Sequence, residues 1–246
     1  MTSDVVTYES REGVAIISLN GPKQLNILTH ELVDALRAAW ERFNASDDKV
    51  AILTGSGDRA FSVGADLNDP PELWKFVPGI GVPVDKPIIA AINGICVGGA
   101  VVLVQFCDLC IMSEDAKFTY PEAKVGLSGG LITSLAARIP HKVAMEFIYG
   151  LADLDAQRAY EVGLVNKVVP ADQVMEVAMD YARELRDAAP MVLTMVKRFV
   201  SEVLAKGPSE NAGISLRETR AVLESADFKE GAASFTEKRP PEFTGK

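Results

Sequence analysis

Three short segments hold residue types whose spacing can do chemistry. The stretch GSGDRAFSVGADL (55–67) ends in Val63-Gly64-Ala65-Asp66, small residues that let a ligand approach the main chain. If Asp66 opens a helix, the Ala65 N–H is left as a free donor. In NGICVGGAVVLVQF (93–106), Gly98 and Gly99 precede an apolar run that reads as a buried helix. The first N–H groups of such a helix lack partners and sit at the positive end of its dipole. Two such donors meeting at one oxygen form an oxyanion hole, each contributing ~3–4 kcal/mol in the transition state. The third segment, TYPEAKVGLSGGL (119–131), places Glu122 after Pro121 and before a Gly-rich loop. A carboxyl group beside an apolar pocket has its pKa raised by desolvation, which suits a general acid or base. Each segment also has a plainer reading: the glycines as tight turns, and Glu122 as one surface acid among 34 acidic residues.

Other catalytic apparatus is sparse. The two histidines, His30 and His141, read as residues of helix starts, and no G-x-S-x-G elbow accompanies them. There is no H-E-x-x-H motif and no His/Asp cluster for a metal. Neither a G-x-G-x-x-G fingerprint nor a P-loop occurs. Cys107 and Cys110 form a C-x-x-C pair, but no second pair follows and the flanks are apolar, so these and Cys96 read as buried free thiols.

The elements that must position the three segments fall into two regimes. Up to about residue 125, strands alternate with helices, which implies an α/β core. Residues 5–9 and 14–19 read as a hairpin around Arg11–Gly13, and 30–43 as a helix capped by Thr29. VAILTG (50–55) and PIIAAI (87–92) read as buried strands, and the chain from Asn93 as strand, turn, helix and the strand DLCIM. From about 129 the pattern turns helical, with helices at 130–138, 141–150 and 155–161 and a short strand at 164–169. An amphipathic helix follows with Val174, Val177, Ala178, Tyr181 and Leu185 on one face. Pro190 opens the next helix, Gly207-Pro208 end it, and a last helical region covers roughly 209–226.

Composition narrows the function classes. A net charge of −9 argues against nucleic-acid or anionic-membrane partners, which need clustered Lys and Arg. No apolar run reaches the ~18 residues of a membrane span. The start, MTSDVVTYES, has neither the basic nor the apolar region of a secretory leader. Together these lead to the expectation of a cytoplasmic protein.

The three segments, in this order and spacing, resemble the enoyl-CoA hydratase/isomerase (crotonase) superfamily. GPKQLNIL (21–28), KPIIAAINGICVGGA (86–100), CDLCIMSEDAKFTYPEAKVGLSGG (107–130), AYEVGLVNKVV (159–169) and AASFTEKRPPEF (232–243) extend the resemblance over essentially the whole chain. It implies a crotonase-like α/β spiral of ββα units over 1–190, then a helical C-terminal region, 191–246, for trimerisation and CoA contact. A homotrimer or dimer of trimers is the implied assembly, and an acyl-CoA thioester the implied substrate. CoA is part of that substrate, and no metal or other cofactor is implied. The oxyanion donors carried over are the N–H groups of Ala65 and Gly99. Lys23, Leu25 and the loop from Ala60 through Gly64, Ala65 and Asp66 to Leu67, with Gly98, match the CoA-binding region. Phe235 and Lys238 match a C-terminal motif that often reaches a neighbouring subunit's CoA.

One departure bears on the reaction. Family hydratases hold a water between two glutamates; the second matches Glu122, while the first falls on Val102, which cannot transfer a proton. The dienoyl-CoA isomerase pattern is not met either, because its further acids fall on Val102 and Gly130. One carboxyl group suffices to move a proton between two carbons. Asp69 and Glu72 are the nearby acids that offer a replacement. The expected chemistry is therefore enoyl-CoA isomerisation or hydration/dehydration with Glu122 as the single acid/base. Thioester hydrolysis or decarboxylation, or an acyl-CoA-binding paralogue without chemistry, are the alternatives.

Overall fold

The computed structural model describes residues 5–246; residues 1–4, part of the stretch expected not to be a leader, lie outside it. The chain opens with the expected hairpin, β1 (Val6–Arg11) and β2 (Val14–Leu19), turning through Glu12 and Gly13 at positive φ. Helix α1 (His30–Ala45) starts where Thr29 Oγ1 accepts the Leu32 N–H. Its apolar stripe, Leu32, Leu36, Trp40 and Phe43 among others, is buried. Lys86 closes its far end, donating at 2.8 Å to the carbonyls of Phe43, Ser46 and Asp48.

Two sheets follow from the next segments. Strands β3 (Val50–Gly55), β5 (Ile88–Ile92), β7 (Leu109–Ser113) and β10 (Lys167–Val169) join β2 in parallel, giving the order β1-β2-β3-β5-β7-β10. Burial on both faces explains the apolar sequences of β3 and β5. The intervening strands β4 (Ala60–Ser62), β6 (Ile95–Val97), β8 (Lys117–Thr119) and β9 (Leu154–Asp155) form a second sheet in that order. Helix α2 (Gly99–Gln105) follows β6 and is buried throughout.

The helical part departs from expectation in three places. Residues 131–137 form a 3-10 helix, because the Thr133 and Ser134 hydroxyls compete for the Gly130 and Leu131 carbonyls. The strand expected at 164–169 is ordered as β10 over its last three residues alone. The last helical region, expected at 209–226, is α8 (Pro208–Glu224), and a further, unexpected helix, α9 (Ala226–Glu237), follows where Ser225 caps a new start through Phe228 N. Between them and β10 lie α6 (Val174–Asp187) and α7 (Pro190–Val203). Three short helices complete the order: α3 (Glu122–Val125), α4 (His141–Ile148) and α5 (Ala156–Glu161). The main core lies between the sheets and α1 and α2; a second, smaller one lies where α6 covers the six-stranded sheet.

Candidate active site

Strands β4, β6 and β8 are parallel neighbours, so their carboxyl ends lie side by side. Ala65 follows β4, Gly99 follows β6 and Glu122 follows β8. Three segments well separated in sequence are thereby delivered to one edge, the place where parallel sheets present ligand sites. Gly98 N donates to Thr119 O at 2.9 Å and ties the second end to the third.

Two glycines make the approach possible. Gly64 has φ +86°, and a Cβ there would stand 2.8 Å from the Val97 carbonyl oxygen. Gly98 has φ +57°, and a Cβ there would stand 2.5 Å from Glu122 Oε1. Both positions therefore favour glycine for conformation, and at Gly64 the Val97 backbone also leaves no space for a side chain.

The Ala65 amide is free for a reason other than the expected one. Asp66 opens no helix; its Oδ1 accepts from Asn68 N at 2.9 Å in a local turn. Ala65 instead bridges Leu28 in parallel: Leu28 N donates to Gly64 O at 2.8 Å, and Asp66 N to Leu28 O at 3.0 Å. In such a pairing the residue between the two bonded ones turns its own N–H away. The Gly99 amide is free as expected, being the first of α2, where Val101 N and Val102 N take the Gly98 carbonyl. Neither amide donates to any group among the described residues.

Glu122 opens α3, and its carboxyl group lies against Gly98, next in sequence to the Gly99 amide. Its Oε2 is sealed from solvent with no hydrogen-bond partner among the described residues. Burial pushes its pKa up to about 7, against a smaller lowering by a backbone N–H. Tyr120, buried beside it, is raised to about 12 by burial and then by the Glu122 charge. Val102 lies in the core one turn along α2. Leu73, from a 3-10 turn over Leu73–Phe76, packs its Cδ1 against Gly99.

The remaining candidates are placed less centrally. Asp69 is exposed and pairs with His30 at 3.2 Å; Glu72 is held ionised by Lys75 at 2.5 Å and accepts from Trp74 Nε1. Each carboxylate is thus paired with a neighbouring side chain, Asp69 with His30 and Glu72 with Lys75. Ala60 is buried in β4; Lys23 and Leu67 are exposed at the rim. Leu25, at φ 54°, accepts from Val63 N at 3.1 Å, which holds its loop beside the Ala65 segment. Phe235, 87 % exposed, and Lys238 lie on and at the end of α9, which packs on α8 rather than on the sheet edge. The cysteines are free thiols pushed up by burial, and no group of three His, Cys, Asp or Glu able to hold a metal occurs among the described residues.

Sequence reasoning missed Asn26. It is fully buried at φ 56°, its Oδ1 accepts from Gly21 N at 2.9 Å, and its Nδ2 donates to Ser56 O, Ala60 O and Phe61 O at 3.0–3.1 Å. One side chain thus clamps the 21–28 loop to β4 and fixes the partner that turns the Ala65 amide outward. Asparagine's tolerance of left-handed backbone is the only signal the sequence offers for it.

Known proteins are similar to this chain over its whole length. The family model described as enoyl-CoA hydratase/isomerase matches residues 9–75 and 81–246. The (E)-benzylidenesuccinyl-CoA hydratase of Thauera aromatica is 35 % identical over 98 % of this chain and 99 % of its own length. A probable enoyl-CoA hydratase of Rhizobium meliloti is 32 % identical over 99 % of each chain. The crystal structure of carnitinyl-CoA hydratase from Mycobacterium avium superposes with a TM-score of 0.77 at 31 % identity, covering 100 % of both chains.

Proposed function

The chain belongs to the enoyl-CoA hydratase/isomerase family of acyl-CoA-processing enzymes, and from that premise we propose that it carries out proton transfer at a thioester enolate. The Ala65 and Gly99 amides receive the thioester oxygen and stabilise the charge that develops there when the α-carbon loses a proton. Glu122 removes or delivers that proton, with a pKa near 7 that leaves both its forms populated at neutral pH. The observation that carries this reading is the Glu122 carboxyl group lying against Gly98, beside the free Gly99 amide, with its Oε2 buried and unpartnered among the described residues.

Two reactions fit one carboxyl group. With Val102 in the core beside it, Glu122 acts alone, which favours moving a proton from one carbon to another, as in 3-enoyl to 2-enoyl isomerisation. The relatives named as hydratases favour addition or removal of water. Incubation with a 2-enoyl-CoA and a 3-enoyl-CoA, read by mass spectrometry, separates them: hydration adds one water, and isomerisation leaves the mass unchanged. Release of free CoA thiol, with no solvent deuterium entering the α-position, would overturn both.

The reading extends to binding and assembly. Lys23, Leu25 and the loop from Ala60 to Leu67, with Gly98, form the CoA side of the site, and Phe235 and Lys238 complete it from a neighbouring subunit. Residues 1–190 are the catalytic unit and 191–246 the assembly unit. Support for assembly as a homotrimer or dimer of trimers comes from α7, which buries none of its side chains and leaves Met191, Phe199 and Val203 more than half exposed. The chemistry asks for no metal or redox cofactor. No helix among the described residues is long and apolar enough to cross a membrane, which accords with action in the cytoplasm.

A further inference from the structure

Behind the turn that carries Leu73, a second cavity of about 100 Å³ opens between α1, that turn and α8. Four cations from three separate elements line it: Arg37 of α1, Lys75 of the turn, and Arg217 and Arg220 of α8; Glu224 is the one acid in the lining. Trp74 forms one wall, with the Arg220 guanidinium 5.6 Å from its ring centroid. Gly81 also lines the cavity, and lets the chain pack tightly there, because a Cβ would collide with the Trp74 and Lys75 carbonyls.

The cations differ in what holds them. Arg37, Lys75 and Arg217 each have an acidic partner, Glu41, Glu72 and Glu218 in turn, with Glu41 and Glu218 lying largely in solvent. Arg217 is also anchored through the Ile80 carbonyl at 2.8 Å. Arg220 lines the cavity and stacks on Trp74 with no hydrogen bond or close ion pair among the described residues, and the nearest charge it acts on is Glu72. Exposed ion pairs are weak and exchange readily for a better anion. A planar carboxylate or a phosphate offers Arg220 the two-pronged geometry that guanidinium groups bind best.

We infer that the cavity between α1, the Leu73–Phe76 turn and α8 binds a small carboxylate or phosphate anion, with Arg220 as its principal contact. The turn is the shared wall: Leu73 packs on Gly99, and Trp74, next in sequence, faces the cavity. The anion has two sources, a free ion or a second carboxylate on an acyl group that extends past Leu73.

The test needs no turnover and so stands apart from the enolate reading. Sodium phosphate and sodium succinate are titrated into the full-length protein at constant ionic strength. Tryptophan fluorescence follows binding, since Trp74 is at the cavity and Trp40, the other tryptophan, is fully buried. Saturation in the millimolar range, weakened at least tenfold in Arg220→Gln and also weakened in Arg37→Gln, is expected. A linear, non-saturating response, or equal curves for wild type and Arg220→Gln, would overturn the inference. Calorimetry of the same titrations keeps the test decisive if either variant alters the Trp74 environment without a ligand. Comparing the Michaelis constant for an enoyl-CoA with a terminal carboxylate against that for an uncharged one, as a ratio, then names the source. A ratio that rises in Arg220→Gln assigns the anion to the acyl group; an unchanged ratio with lost succinate or phosphate binding assigns it to a free ion.

Discussion

Helices α6 and α7 are consecutive, fourteen residues each, and both amphipathic, yet α6 buries its apolar face and α7 does not. The face of α6, with Val174, Ala178 and Ala182, closes the smaller core against β2, β3, β5 and β7. The face of α7, with Met195, Val196 and Phe199 each about half exposed, meets nothing of comparable size within the chain. What ties α7 down is polar: Lys197 to Asp108 and the Lys86 carbonyl, and Arg198 to Asp85. The boundary between these helices separates a face that one chain buries by itself from a face that it leaves exposed, the one proposed above for another copy. Every residue of the candidate sheet-edge site, Ala65, Gly99 and Glu122, lies on the completed side.

That division can be broken by experiment. The largest effect is expected at Glu122→Gln: catalytic efficiency falls by roughly 10²–10⁴-fold, ~3–5 kcal/mol, with the oligomeric state unchanged by sedimentation velocity. Unchanged turnover would remove Glu122 from its role. Next, one charge is placed on each helix. Ala178→Asp buries an unpaired carboxylate on the sheet and is expected to cost ~3–5 kcal/mol in denaturant unfolding. Val196→Asp is expected to shift unfolding of the isolated chain by no more than ~0.5 kcal/mol while lowering the sedimenting mass toward the 26.4 kDa of a single copy. If both variants simply unfold, α7 belongs to the core and the boundary is misplaced.

Asn26→Ala tests whether the completed side also orients the amide. It strands several buried backbone groups and leaves alanine at positive φ, so a loss of ~2–4 kcal/mol in stability is expected, with a fall in kcat that exceeds any rise in the Michaelis constant. The smallest effect concerns pH. Glu122 has a folded pKa of about 7 against an ordinary 4.5, so the folded state holds the extra proton between these values. Stability from this group is then lost as pH rises through that window, and Glu122→Gln recovers it above pH 7. Because the side chain is only partly buried, the gain is on the order of 1 kcal/mol. Over the same range kcat/KM for proton abstraction should rise with pH and level off, and a profile flat across pH 7 would contradict the assignment.

Legibility in the sequence follows the length scale of each interaction. The stripe of α1, the buried strands VAILTG and PIIAAI, and the glycine pair before α2 are local patterns and are legible as they stand. Strands β4, β6 and β8 have three residues each, too few to display a period, so their parallel alignment is invisible in the sequence. Their alignment is what makes neighbours of Ala65, Gly99 and Glu122. The local pattern predicts a free Ala65 amide at a helix start; the amide is free for a distant reason, a bridge to Leu28 clamped by Asn26. The end of α8 near residue 226 is legible, whereas α9 beyond it, capped by Ser225, is unexpected.

The solitary carboxyl group against Gly98 has a consequence for how ligands register in solution. With burial holding its pKa at about 7, the resting population at neutral pH is a mixture of two protonation forms. A molecule that docks on one form draws the other across, so hydrogen ions are exchanged with the medium each time the site fills. The heat of that event should change with the ionisation enthalpy of the buffer chosen, and its slope counts the protons.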